Sequence, residues 1–166
     1  MLPINDAIAQ MCQQAIPLTI NEKDVERVDL ISAVGRILAE DIHSTIHVPT
    51  ADNSAMDGYA INVNDLEQST TLAISQVINA GHPPSPLAAG TAARIFTGAE
   101  IPVGANAVVM QEQCQVQDNN VMLPSSVALN NNIRLQGQDI QKGNIILNKG
   151  KNLQPQDIGL IASVGI

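Results

Sequence analysis

The chain has 166 residues, 45% of them apolar, and its sixteen acidic and eight basic side chains leave a formal net charge of −8. With Tyr59 and Phe96 as its only aromatic residues and no Lys/Arg run, it lacks the stacking faces and cationic groove that hold nucleic acid, which is excluded as a partner. No apolar run reaches the roughly 18 to 20 residues that span a bilayer, and Met1 to Cys12 lacks a basic segment ahead of an apolar one. The expectation is a protein of the cytoplasm that makes no membrane contact. Cys12 and Cys114 are isolated thiols, neither a disulfide framework nor a Cys-x-x-Cys pair, and both read as small buried hydrophobes.

Asn5 is placed to cap a first helix whose apolar face is Ile8, Met11, Cys12 and Ala15, with Pro17 ending it. A helical turn over Leu30 to Val34 stops at Gly35, a residue suited to the left-handed backbone of a helix end. Arg36 to Ile42 reads as extended. From Val48 and Pro49 onward the chain becomes mostly β: Tyr59, Ile61 and Val63 share a strand face, and further strands are expected over Leu72 to Ile78, Thr91 to Thr97, Val108 to Val116 and Val121 to Leu123. Gly81-His82-Pro83-Pro84 marks a turn, and Asp118-Asn119-Asn120 a tight hairpin. A last helix begins at Pro155, buries Ile158, Ile161 and Ala162, and stops at Gly165. Because the chain closes one residue later, it reads as a fragment of a longer protein.

The familiar catalytic patterns are missing: there is no nucleophile elbow and no phosphate-cradling glycine loop. His43 and His47 are four apart, but their surroundings are extended, so the metal-binding spacing of a helix does not apply. Asp52, Ser54 and Asp57 bring three oxygen-bearing side chains into one loop, which suits a hard cation or a polar ligand. The same loop also reads as a turn, with Asp57-Gly58 as a turn dipeptide and Asp52 bonded to its own backbone. Glu112 falls on the apolar face of the strand expected over Val108 to Val116, where solvent or an arginine such as Arg94 would have to satisfy it. Thr97 and Gly98 set a hydroxyl beside a glycine amide at a strand end, a pairing able to bind an oxyanion and equally able simply to end a strand. Arg134 and Asp139 flank Gly137 and are compatible with a surface ion pair.

Taken in order, these segments resemble one family. Ile16-Pro17-Leu18-Thr19, Gly35-Arg36-Ile37-Leu38-Ala39, the string Asp-Asn-Ser-Ala-Met-Asp-Gly-Tyr-Ala over residues 52 to 60, Arg94 to Ala99, Ala107 to Glu112, Ile133 to Ile140 and Asp157-Ile158-Gly159-Leu160 resemble the amino-terminal region of the molybdopterin molybdenumtransferases (MoeA), to which the carboxy-terminal domain of gephyrin is related. The resemblance covers essentially the whole chain. It implies an α+β, mostly β fold in which a β-rich lobe, residues 49–137, is inserted into a discontinuous helix-containing lobe, residues 1–48 plus 138–166. The family's pterin-gripping α/β domain and its last β domain have no counterpart in these residues.

The resemblance further implies transfer of molybdenum from molybdate to adenylated molybdopterin, with release of AMP, aided by a divalent cation such as Mg2+. It carries catalytic roles to Asp57, Thr97 and Arg134, substrate contacts to Ser54, Gly98 and Asp139, and cation binding to Asp57. Homodimerisation is implied, as is contact with a molybdopterin adenylyltransferase. Leu135, Gln136 and Gln138 depart from the charged residues usual around Arg134, which removes any charge-dependent role at those positions. Without the pterin-binding half the chain is expected to be inactive alone. The alternative expectation is a dimerisation or scaffold module without catalysis.

Overall fold

The computed structural model describes residues 3–15 and 25–166, so the Ile16-to-Thr19 motif and the helix stop at Pro17 lie outside the described residues. Helix α1, Ile4–Gln14, starts two residues earlier than the sequence suggests. Pro3 occupies the cap position, with its carbonyl accepting from the Ala7 amide, and Asn5 lies inside the helix without a capping role. No residue of α1 is buried. Ile4, Ile8 and Met11 on its apolar stripe are exposed, and Cys12, read as buried, is exposed as well. Cys114 is half-buried, and burial pushes its thiol up to about 11.

The middle of the chain forms one curled six-stranded sheet. Its strands are β3 (Gly58–Ile61), β4 (Thr71–Ile78), β5 (Thr91–Ile95), β6 (Ala107–Met110), β7 (Gln115–Gln117) and β8 (Asn120–Met122), in the spatial order β6-β3-β5-β4-β8-β7. Only β4 and β5 run parallel. Every residue of β3 is buried. Alternation sends Tyr59 and Ile61 into one core with Leu72, Val109 and Val121, and Ala60 into a second with Ile95 and Val108. Val63 packs on the first core but belongs to a 3-10 helix, Val63–Glu67, that follows β3.

The strand expected over Val108 to Val116 is two strands joined by a 3-10 turn, Gln111–Gln113. Glu112 lies on that turn and is exposed, so no carboxylate is forced onto an apolar face. The expected hairpin is present: Gln117 pairs with Asn120, and Asp118 takes the left-handed backbone between them. The free side of β6 is covered by the asparagine run. The Val108 amide donates to the Asn131 carbonyl, and the Asn131 and Asn132 side chains donate to the Val108 carbonyl. Asn130 and Asn132 hold positive φ there, a conformation that asparagine tolerates better than most residues.

A third core draws Leu30, Ala33, Leu38 and Ile42 from the first part of the chain onto Leu147, Leu153, Ile158 and Ile161 from the last. Strand β1, Ile42–His43, pairs with β10, Ile145–Leu147. Helix α2, Pro155–Ser163, opens with proline at its start and a capping box between Gln154 and Asp157. Ala162 is exposed, contrary to the sequence pattern, because the helix ends at Ser163 and the fully buried Val164 supplies the apolar contact.

Between the sheet and this third core the chain crosses side by side with itself. Val48 and Ile140 exchange backbone hydrogen bonds, the Gly137 amide donates to the Pro49 carbonyl, and β2 (Asn53–Ser54) pairs with β9 (Ile133–Arg134). Gly137 has φ +71, and a β-carbon there would press on the His47 ring at 2.9 Å, so the crossing requires glycine. His47 accepts from the Lys142 amide and His43 lies against the Gly143 carbonyl, so both histidines serve the crossing loops.

Candidate functional site

The bend that follows β2 carries Asp57 to the start of β3. In the β3–β5 register Gly58 faces Ile95, so the residues just before β3 lie opposite those just after β5. Asp57 and Thr97, forty positions apart in sequence, meet for that reason. The Thr97 amide donates to Asp57 Oδ1 at 2.8 Å and its hydroxyl donates to the same oxygen at 2.7 Å. The Asp57 carboxyl is held below its ordinary value of 3.8, chiefly by the Thr97 amide, then by the Thr97 hydroxyl, with a smaller contribution from the Arg94 charge. No described residue bonds to Oδ2, so one carboxylate oxygen is fixed and the other faces outward.

The Asp57-Gly58 pair, read as a turn, has a different basis. Gly58 is the first residue of β3 and its φ is not positive. A β-carbon on it would collide with the Val109 carbonyl of β6. Glycine is there for close approach between strands, and that approach lets the Gln111 amide donate to the Asp57 carbonyl at 3.1 Å.

Two expected donors are already engaged. The Gly98 amide donates to the Ser54 carbonyl at 2.8 Å, and both Thr97 donors point at Asp57, so neither residue presents an open oxyanion site. Ser54 is fully buried. Its hydroxyl donates to the Met56 carbonyl at 2.5 Å, which shapes the bend ahead of Asp57 and keeps the side chain away from any substrate. Asp52 bonds across the crossing to the Gln136 amide at 2.7 Å, and so does not form the local turn that its composition suggested.

Arg134 and Asp139 are both exposed. The ion pairs among the described residues are Arg36 with Glu26 and Lys151 with Asp157, so Arg134 and Asp139 do not pair with each other. Arg134 lies opposite Asn53 in the β2–β9 pairing, which places its free guanidinium on the segment that leads to Asp57. Beside it an open cleft of about 310 Å³ is lined by residues that include Thr50, Asn53, His82, Gly98 and Glu100.

Sequence reasoning named Arg94 only as a partner for Glu112 and did not foresee its bonds to Gly58 and Gln111. Arg94 donates to the Gly58 carbonyl at 3.0 Å and to the Gln111 side-chain oxygen at 2.5 Å. It does not pair with Glu112, because the 3-10 turn carries Glu112 aside and brings Gln111 in. The one available signal was the motif order itself, in which Arg94 stands three residues before Thr97.

The profile of the MoeA N-terminal region (domain I and II) matches residues 2–165. The chain belongs to the MoeA N-terminal family. It is 42% identical to a molybdopterin molybdenumtransferase of Haemophilus influenzae over all of its own length and 41% of that protein. It is 34% identical to gephyrin of Dictyostelium discoideum, again over its full length and over 25% of the relative. A crystal structure of the MoeA molybdopterin biosynthesis protein from Pyrococcus horikoshii OT3 superimposes with a TM-score of 0.78 at 38% identity, covering 85% of this chain and 39% of that one. The MoeA N-terminal fold, α+β and mostly β, is therefore established. The chain spans about two fifths of the length of the curated MoeA relative from Haemophilus. Among the described residues no helix is long and apolar enough to cross a membrane.

Thr97→Val, which deletes the hydroxyl but keeps the amide, is expected to raise the Asp57 titration midpoint only part of the way toward its ordinary value. The sign follows from linkage: a depressed carboxyl stabilises the fold above the unfolded pKa, and that stability is lost as pH falls through the folded one. Carboxyl-carbon NMR titration of the wild type and the variant reads the shift; an unchanged midpoint would mean that the hydroxyl bond is not formed in solution.

Proposed function

We propose that these residues form the part of a molybdenumtransferase that supplies Asp57, Thr97 and Arg134 to the insertion of molybdenum from molybdate into adenylated molybdopterin, with AMP released. The observation that carries the reading is the fixed, low-pKa carboxylate of Asp57 with one oxygen left outward. Thr97 acts by holding that carboxylate, Arg134 offers a free positive charge to an anionic substrate, and Asp139 contributes an exposed carboxylate. Ser54 and Gly98 act through the loop geometry they maintain.

The donor set fits Mg2+ only in part. No group of three or more potential ligands from His, Cys, Asp and Glu occurs among the described residues, and Asp57 would supply a single oxygen. Mg2+ commonly keeps several waters and takes one or two carboxylates together with substrate phosphates, so one protein oxygen is compatible with it. A bound cation would supply charge neutralisation at the phosphate being cleaved. Asp57, Thr97 and Arg134 bind and orient, and the step calls on no protein nucleophile.

The reading includes a division of labour between lobes, residues 49–137 and residues 1–48 plus 138–166, with the pterin held by residues that the chain does not contain. It also includes receipt of the adenylated substrate from a molybdopterin adenylyltransferase. In an enzyme carrying these residues together with the remaining domains, Asp57→Asn is expected to cut AMP release by about 100-fold, while the 166-residue chain alone releases none. Near-normal turnover in the variant would remove Asp57 from the chemistry, and AMP release by the chain alone would overturn the division of labour.

A second reading, that this region assembles protomers, is favoured by one observation: Ile4, Ile8 and Met11 of α1 are all exposed, and no residue of the helix is buried. The occupant proposed for this face is α1 of a second copy, giving a homodimer. Light scattering on the purified chain should give twice the monomer mass, reduced to the monomer by Ile8→Glu with Met11→Glu. A monomeric wild type would sink this reading.

A further inference from the structure

Both aromatic rings of the chain flank the same guanidinium. The Arg94 carbon lies 5.3 Å from the centroid of Tyr59 and 4.6 Å from that of Phe96. Within that stack the guanidinium donates to the Gly58 carbonyl and to the Gln111 side chain. The Gln111 amide in turn donates to the Asp57 carbonyl. The two peptides on either side of Gly58 are thus gripped by two residues that are bonded to each other.

Arg94 forms no ion pair among the described residues. In a chain with only eight basic side chains, one is committed to neutral acceptors beside the half-buried Asp57. Packing alone does not call for this, since a neutral side chain could fill the space between two rings. A guanidinium is the group that can stack on both faces and still donate in its own plane to two separate acceptors; a lysine ammonium has the charge without the planar fork.

We propose that Arg94 is a positioning residue: clamped between Tyr59 and Phe96 and tied to Gln111, it fixes the Asp57-Gly58 segment and so sets the direction in which the Asp57 carboxylate points. Its importance for turnover rests on the reading of Asp57 as the working carboxylate, but the clamp itself is testable without that reading. The Arg94 charge also acts on Asp57 and on the Cys114 thiol, in each case favouring the ionised form, which agrees with a guanidinium close to both and paired with neither.

The test uses the isotope-labelled 166-residue chain and two variants, Arg94→Lys, which keeps the charge, and Gln111→Ala, which trims an exposed side chain. Amide exchange and amide proton shift are read at Thr97 and Gln111, with Leu153 in the third core as the internal control. Arg94→Lys is expected to accelerate exchange at Thr97 and Gln111 by about tenfold or more and to move the Thr97 amide proton upfield as its bond to the carboxylate loosens. Leu153 should keep its rate.

Unchanged Thr97 exchange and shift in a folded Arg94→Lys chain would overturn the proposal, as would equal acceleration at Leu153, which would make Arg94 a residue of general stability. Should Arg94→Lys fail to fold, Gln111→Ala decides: selective acceleration at the same two amides supports the clamp and no change overturns it. Normal AMP release by Asp57→Asn alongside a positive exchange result would remove the reading of Asp57 while leaving the clamp in place, so the two failures are distinguishable.

Discussion

Close contact between β3 and β6 at Gly58 is the constraint on which the site depends. With no β-carbon to hold the strands apart, the Gln111 amide reaches the Asp57 carbonyl, and on the other side of β3 the register with β5 delivers Thr97 to the Asp57 carboxylate. Asp57 is thus held through its carbonyl and one carboxylate oxygen by segments that join the sheet independently. A carboxylate on an exposed bend would ordinarily sample many directions. Here the sheet restricts it, at the cost of making its geometry as sensitive to strand register as any core residue.

The crossing between the sheet and the third core has the same character. Two extended segments, near residues 48–54 and 133–140, are bonded along their length, and side chains that look ligand-like in isolation are spent on it. Asp52 accepts from the Gln136 amide, and the Gln136 side chain donates to the Thr50 carbonyl. Gln136 is one of the positions where charge is expected in relatives, and here it contributes hydrogen bonds to the crossing. Arg134 and Asp139 remain exposed on the same crossing, available to a ligand that approaches from outside.

The sequence carried the family, the β-rich middle, the hairpin at Asp118 and the closing helix at Pro155, because each rests on local chemistry: motif order, left-handed asparagine and aspartate, and proline at a helix start. It did not carry what depends on distant partners. Alternation over Val108 to Val116 looks like one strand, and only the tertiary structure breaks it at Gln111 to turn the chain along the curled sheet. Cys12 and α1 look like core by periodicity, yet the surface they would pack on is not among the described residues. Asp57 was legible as a candidate and Thr97 as its companion in the motif, but their contact is a consequence of the register. Arg94 was legible only as a cation in search of a carboxylate, because stacking between two rings leaves no trace in spacing.

The central claim is that Asp57 is fixed by Thr97 in the folded chain. The most direct measurement is the scalar coupling carried across a hydrogen bond, between the Thr97 amide nitrogen and the Asp57 carboxyl carbon, in the isotope-labelled protein at neutral pH. The account predicts a resolved coupling together with a Thr97 amide protected from solvent exchange. No coupling, with a Thr97 amide that exchanges as freely as an open loop, would contradict it.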